Sequence, residues 1–181
     1  MNPEARKRPF HVGQQNIKSA IAATVTALLY LLVGRNPTFA CIGAIFGTGS
    51  DMDNSKQFGG NRFFGTIFGG LIGMGLFRLY LCIYPDGRPT ALLLLFLFVG
   101  VILLILMSRF FWVGGVQPGG VVLCILLYNT PVETYIPYAV NRIIDTGIGV
   151  LIALIISRLL PRERMYKILE FLHLRKKKED A

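Results

Sequence analysis

The chain has 181 residues, of which 53% are apolar and only 16% are charged, against roughly 25% charged residues in an average soluble domain. A soluble protein of this length needs more charge to cover its surface, so the composition favours a membrane protein. The net charge of +9 is also typical of nucleic-acid binders, but the basic residues lie between and beyond long apolar runs. We therefore expect no nucleic-acid partner.

Six apolar segments follow one another along the chain and predict an all-α, polytopic membrane protein. They cover residues 17–34, 38–50, 63–84, 91–107, 110–128 and 135–160. A helix needs about 20 residues to cross the roughly 30 Å hydrocarbon layer of a bilayer. Every segment except the second reaches or approaches that length, and the second is short enough to be re-entrant.

The basic residues indicate the number of crossings. Lys and Arg cluster before the first segment and after the last, so both termini are expected in the cytoplasm and the number of crossings is even. Six crossings place most of the 19 Lys and Arg residues inside and leave Arg35, Arg88 and Arg142 outside. Four crossings with two re-entrant segments would move Lys56 and Arg62 to the outside. The charge distribution favours six transmembrane helices.

A phrase in the third segment returns in the sixth: residues 61–70 read NRFFGTIFGG and residues 141–150 read NRIIDTGIGV. Three crossings separate the copies, so the second copy is inserted upside down. We interpret the chain as two inverted three-helix repeats, 17–84 and 85–160, after a basic N-terminal segment, 1–16. The second segment of each repeat is rich in glycine, which indicates either a substrate path or ordinary close packing of small residues.

Each copy of the phrase begins with an Asn-Arg pair, Asn61–Arg62 and Asn141–Arg142. We expect each pair at the entrance of its helix, where the helix N-terminus adds positive potential that favours anions. The two arginines are therefore candidate members of a transport path, one at each mouth. For Arg62 the positive-inside rule is an equally good explanation, whereas Arg142 breaks that rule and favours a function or a fixed ion pair.

Three further polar residues within apolar sequence are candidates for the same path. Asp145 shares a helix face with Arg142, so we expect the two to pair, with proton coupling as the alternative role of the carboxylate. Arg78 lies below the outer interface, where a charge faces a cavity or a partner unless it snorkels outward. Gln117 precedes a proline that breaks the fifth segment, and it can bond a substrate carboxylate or a freed backbone carbonyl.

Glycines recur every four residues in the third segment, at Gly65, Gly69 and Gly73, and Gly149 occupies a matching place in the sixth. This spacing lets a neighbouring helix backbone approach closely, so these positions are predicted to serve helix packing.

The C-terminal segment, 161–181, has different chemistry. Apolar residues at helical spacing predict an amphipathic helix on the cytoplasmic surface. The basic run that follows is predicted to bind anionic lipid headgroups, and a solvated tail that only enforces topology is the alternative. This run consists of Arg175, Lys176, Lys177 and Lys178.

No enzyme motif is present in the sequence, and we expect neither a metal nor another cofactor. The cysteines Cys41, Cys82 and Cys124 are isolated in apolar segments and are typical of packing thiols. Neither histidine has a partner at catalytic spacing.

Three stretches of the chain resemble the FUSC-type membrane proteins and, within them, the bacterial aromatic acid exporter family. They are residues 16–47 (NIKSAIAATVTALLYLLVGRNPTFACIGAIFG), 59–73 (GGNRFFGTIFGGLIG) and 138–160 (YAVNRIIDTGIGVLIALIISRLL). The chain departs from the family pattern at 48–55, which read TGSDMDNS in place of a Met-Gln-Pro-Thr-like turn.

The resemblance implies a six-helix unit of a bacterial inner membrane that exports small organic anions, with aromatic or other carboxylates as substrates. The chain is also distantly similar to the plant aluminium-activated malate transporters. Single units of this kind are expected to pair, so a homodimer or larger homo-oligomer is implied. The alternative that the residues leave open is a non-transporting membrane scaffold that binds lipid or a partner protein.

Overall fold

The computed structural model describes residues 13–111, 113–161 and 163–165, which contain helices and no strand. The helices are α1 Gln14–Val33, α2 Thr38–Gly47, α3 Met52–Ile83, α4 Ala91–Phe111, α5 Val116–Tyr128 and α6 Tyr135–Leu159, and a 3₁₀ turn, Val113–Gly115, leads into α5. The all-α prediction is thereby confirmed. The amphipathic tail helix and its basic run lie outside the described residues.

Four helices, α1, α3, α4 and α6, are long and apolar enough to cross a membrane. Large apolar side chains such as Leu31, Leu32, Leu94 and Phe98 are exposed on their outer faces, as a lipid-facing surface requires. The other two helices, α2 and α5, have 10 and 13 residues. At 1.5 Å per residue they are about 15 and 20 Å long, too short to span roughly 30 Å as helices.

Helix α3 begins about ten residues earlier than the apolar pattern predicted. The Asp51 side chain caps its N-terminus by accepting a hydrogen bond from the backbone N–H of Asn54 at 2.8 Å. Residues 52–62, predicted as a cytoplasmic loop, are therefore helical. Asn61 and Arg62 lie nearly three turns inside α3, and the prediction that they stand at the helix entrance is wrong.

In α6 the Asn-Arg pair also lies away from the helix entrance, although this helix begins where its apolar segment predicted. It begins at Tyr135, so Asn141 and Arg142 lie about two turns inside the helix and Asp145 lies nearly three turns inside. The field of a helix N-terminus falls off within the first turn. The positive end of the helix therefore does not set the electrostatic environment of these residues. That environment is set by contacts with other helices.

The two longest helices pack against the short helices of the opposite half of the chain. Helix α3 packs on α5, helix α6 packs on α2, and α3 and α6 also contact each other. Helix α1 contacts α2 and α6, while α4 contacts α5 and α3. Each half of the chain thus relies on the other for its packing.

Glycines make these contacts close. A side chain at Gly69 would collide with the carbonyl oxygen of Gly119 in α5, and one at Gly149 would collide with the carbonyl oxygen of Ala40 in α2. The other two predicted packing glycines also face α5: Gly65 and Gly73. Backbone-to-backbone approach of this kind is what small residues permit between membrane helices.

The residues after α2 return to the beginning of α1. The Gln15 side-chain amide donates to the carbonyl oxygen of Thr48 at 3.1 Å, and the Lys18 ammonium donates to that of Ser50 at 3.0 Å. Helix α2 therefore runs antiparallel to α1 along its length. Lys18 is completely buried, which the charge pattern of the sequence did not predict.

Candidate functional site

A cavity of about 470 Å³ surrounds Arg62, and we call it the Arg62 pocket. Helices α1, α2, α3 and α5 contribute its polar and aromatic lining: Gln15, Phe46, Phe58, Asn61, Arg62 and Gln117. The structure therefore brings together three residues that the sequence singled out, Asn61, Arg62 and Gln117. Asn61 and Arg62 lie on α3 and Gln117 lies on α5. These residues, far apart in sequence, line one cavity because α3 packs on α5.

The Arg62 guanidinium has an aromatic neighbour and no acidic one. It lies over the ring of Phe46, 5.5 Å from the centroid, which is cation–π distance. Among the described residues, no carboxylate lies within ion-pair distance of Arg62, and its buried Nε has no hydrogen-bond partner. A buried donor without an acceptor costs about 1–3 kcal/mol and is rare in proteins, and an acceptor from a bound molecule would remove that cost.

A second cavity, of about 240 Å³, surrounds Arg142, and we call it the Arg142 pocket. Its lining comes from the end of α1, the start of α2 and the first half of α6: Arg35, Asn36, Phe39, Tyr138, Asn141, Arg142 and Asp145. Arg142 is only 4% exposed, and its guanidinium stacks on the Phe39 ring. Its Nε is also buried with no hydrogen-bond partner among the described residues.

Asp145 does not form the predicted ion pair with Arg142. Its Oδ1 instead accepts a hydrogen bond from the hydroxyl of Tyr30 at 2.8 Å and pairs with the Arg35 guanidinium at 3.0 Å. Arg35 also donates to Asn141 at 3.3 Å. Arg142 is available to the cavity because Asp145 is bound by these two residues of the α1 end. The signal for Arg35 was present in the sequence, since it is an outer arginine that breaks the positive-inside rule.

The two pockets share a local pattern. Each contains an aromatic residue, an asparagine and an arginine at the same spacing: Phe58, Asn61 and Arg62 in one, and Tyr138, Asn141 and Arg142 in the other. Each arginine lies on a phenylalanine of α2, Phe46 or Phe39. Both pockets therefore present a cation, an amide and aromatic rings.

Arg78 lies in neither pocket. It is exposed beside a separate shallow cavity lined by Met74, Gly75, Tyr135 and Ile136. Within the part of the chain that the structure describes, no hydrogen bond or ion pair involves its guanidinium. The structure thus separates Arg78 from the other candidate path residues.

The sequence of the chain matches a known protein family. A sequence profile of the family described as Fusaric acid resistance protein-like matches residues 20–156, which is most of the chain and includes both arginines. The chain belongs to this FUSC family. No curated protein and no solved structure gives a significant match.

Family membership confirms the FUSC-type resemblance of the sequence. FUSC proteins form a membrane transport or resistance family without enzymatic activity, and the four long apolar helices agree with a membrane location. The two pockets of this FUSC protein offer cationic and amide donors. Among the described residues, no group of three or more His, Cys, Asp or Glu residues is placed to hold a metal ion.

Proposed function

We propose that this protein is a transporter or channel that exports small organic anions, aromatic or other carboxylates, across a bacterial inner membrane. The observation that carries the proposal is the pair of arginines, the half-buried Arg62 and the buried Arg142, each with a buried Nε that lacks a hydrogen-bond partner among the described residues. A guanidinium presents a planar set of donors that matches a carboxylate in two parallel hydrogen bonds. The carboxylate of a transported anion would supply the hydrogen-bond acceptor that each of these Nε atoms lacks among the described residues.

The lining of the Arg62 pocket supports an organic rather than an inorganic anion. Phe46 and Phe58 offer flat apolar surface, while Asn61 and Gln117 offer amide groups beside the guanidinium. Pockets for small molecules are mostly apolar with a few placed polar groups and measure about 300–1,000 Å³. The 470 Å³ of this cavity is of the size that an aromatic carboxylate needs.

We further propose that the chain crosses the membrane six times as two inverted three-helix repeats, with both termini in the cytoplasm. The short helices α2 and α5 would then be completed by non-helical residues, which are tolerated at depth only where protein groups satisfy their backbone. Three such bonds support this for α2: Gln15 and Lys18 bind the carbonyls of Thr48 and Ser50, and the Ser55 hydroxyl accepts from the N–H of Gly49.

The exchange of packing partners between the halves supports the same topology, because α3 rests on α5 as α6 rests on α2. With the N-terminus inside, the Arg62 pocket faces the cytoplasm and the Arg142 pocket faces outside. An anion would enter at Arg62 and leave at Arg142.

Efflux of radiolabelled benzoate from proteoliposomes tests the transport proposal. We expect Arg62→Gln and Arg142→Gln each to lower the rate at least about tenfold, because a hydrogen bond to a charged group is worth about 1.5–3 kcal/mol. Lys56→Gln is the matched control, since Lys56 is an exposed cation of α3 that lines neither arginine pocket. Wild-type rates in both arginine variants would exclude the proposed path, and absence of any flux would favour the scaffold alternative.

A further inference from the structure

Asp145 breaks the correspondence between the two pockets. The residue at the matching place in α3 is Gly65, which packs against the backbone of Gly115 and leaves no room for a carboxylate. Among the described residues that line the Arg62 pocket, Arg62 therefore carries the only charge. The Arg142 pocket contains three charges, the cations Arg35 and Arg142 and the anion Asp145.

Asp145 is held in the Arg142 pocket by two polar contacts. Its side chain is 8% exposed and is fixed from the α1 side by the Tyr30 hydroxyl at 2.8 Å and the Arg35 guanidinium at 3.0 Å. Arg35 is about half exposed at the mouth of the cavity. Because the carboxylate neutralises Arg35, the pocket presents the charge of a single cation, Arg142, to an incoming anion.

We propose that Asp145 is an internal counter-ion that limits how tightly the Arg142 pocket holds an anion, so that an exported carboxylate is released to the outside. This inference rests on the transport function proposed above and assigns a role within it. Without Asp145, a ligand carboxylate would lie between two guanidinium groups in a largely buried cavity, where opposite charges attract strongly and solvent screens little. Binding would tighten and release would slow.

Asp145→Asn tests the proposal, because the amide keeps the shape of the side chain and can still accept from Tyr30. We expect benzoate to bind purified protein at least about fivefold more tightly. In proteoliposome efflux we expect both KM and the maximal rate to fall. A merely structural role of Asp145 would lower the rate without tightening binding.

Arg35→Gln is predicted to act in the opposite direction. It leaves Asp145 without its cation, so the carboxylate competes with the ligand for Arg142 and benzoate binding weakens. The double variant Arg35→Gln/Asp145→Asn returns the pocket to a single cation, and its affinity should return to within about twofold of wild type. The single variant Arg35→Gln keeps Asp145 and so keeps the test decisive even if Asp145→Asn does not fold.

Asp86→Asn is the matched control. It removes one negative charge from an exposed ion pair with Arg88, beyond the end of α3 and outside the pocket, and should leave benzoate binding unchanged. Unchanged or weaker binding in Asp145→Asn, with transport intact in wild type, would overturn the counter-ion role alone. Absence of benzoate binding and flux in wild type would overturn the transport function and the counter-ion role together.

Discussion

Arg62 and Arg142 are each stacked on an aromatic ring rather than paired with a carboxylate. The repeated Asn-Arg phrase singled out both arginines in the sequence, and the structure places each of them in the lining of a cavity. Their partners could not be identified, because Phe46 and Phe39 belong to a helix that reaches them only through tertiary packing. The same limit explains the incorrect pairing of Asp145, which the i, i+3 spacing assigned to Arg142 although Arg35 and Tyr30 occupy it.

Tyr30→Phe tests the contribution of this buried network to stability. The substitution removes the hydroxyl that donates to Asp145, and a hydrogen bond to a charged group contributes about 1.5–3 kcal/mol. We expect the melting temperature in detergent to fall by several degrees. Tyr128→Phe is the control, since Tyr128 is exposed at the end of α5 and should melt within a degree of wild type.

At the scale of single helices, apolar runs located α1, α4 and α6 to within a few residues. The start of α3 was missed because residues 52–62 are polar or glycine except for Met52 and Phe58 and carry no apolar period, whereas an Asp51 cap fixes the helix there. The glycine spacing indicated close packing in α3, but the helix that it packs on follows from the fold, not from the spacing.

Gly69→Ala and Gly149→Ala test the helix contacts. Each added methyl group would meet a carbonyl oxygen, of Gly119 or Ala40, so α3 would be pushed from α5, and α6 from α2. Overpacking of a close contact costs about 1–3 kcal/mol, which should reduce the fraction of protein that elutes as a single species after heating in detergent. Equal heat resistance of these variants and wild type would show that the backbones do not approach so closely.

Gly75→Ala is the control on the same helix. Nothing lies within 4 Å of the position where its methyl group would stand, and alanine favours a helix by roughly 0.5–1 kcal/mol over glycine. This variant should therefore be at least as stable as wild type.

At the scale of the whole molecule, the path of the chain through the membrane is the property that labelling tests. Single cysteines at positions 13, 56 and 88, in a background without the three native cysteines, should react with a membrane-impermeant thiol reagent from defined sides. Six crossings place 13 and 56 on one side and 88 on the other. If 88 were labelled together with 13, and 56 from the opposite side, four crossings with re-entrant α2 and α5 would be established instead.

Helix α2 also fixes the distance between the two phenylalanines that the arginines contact. Phe39 and Phe46 are seven residues apart, two helical turns, so they lie on the same face and about 10 Å apart along the axis. The rings that the two arginines contact are therefore separated by about 10 Å along α2. In the transport function proposed above, a monocarboxylate would move over this distance from one cation to the next. A rigid dicarboxylate whose ends are about 10 Å apart would hold both cations at once, and we expect it to act as a blocker rather than as cargo.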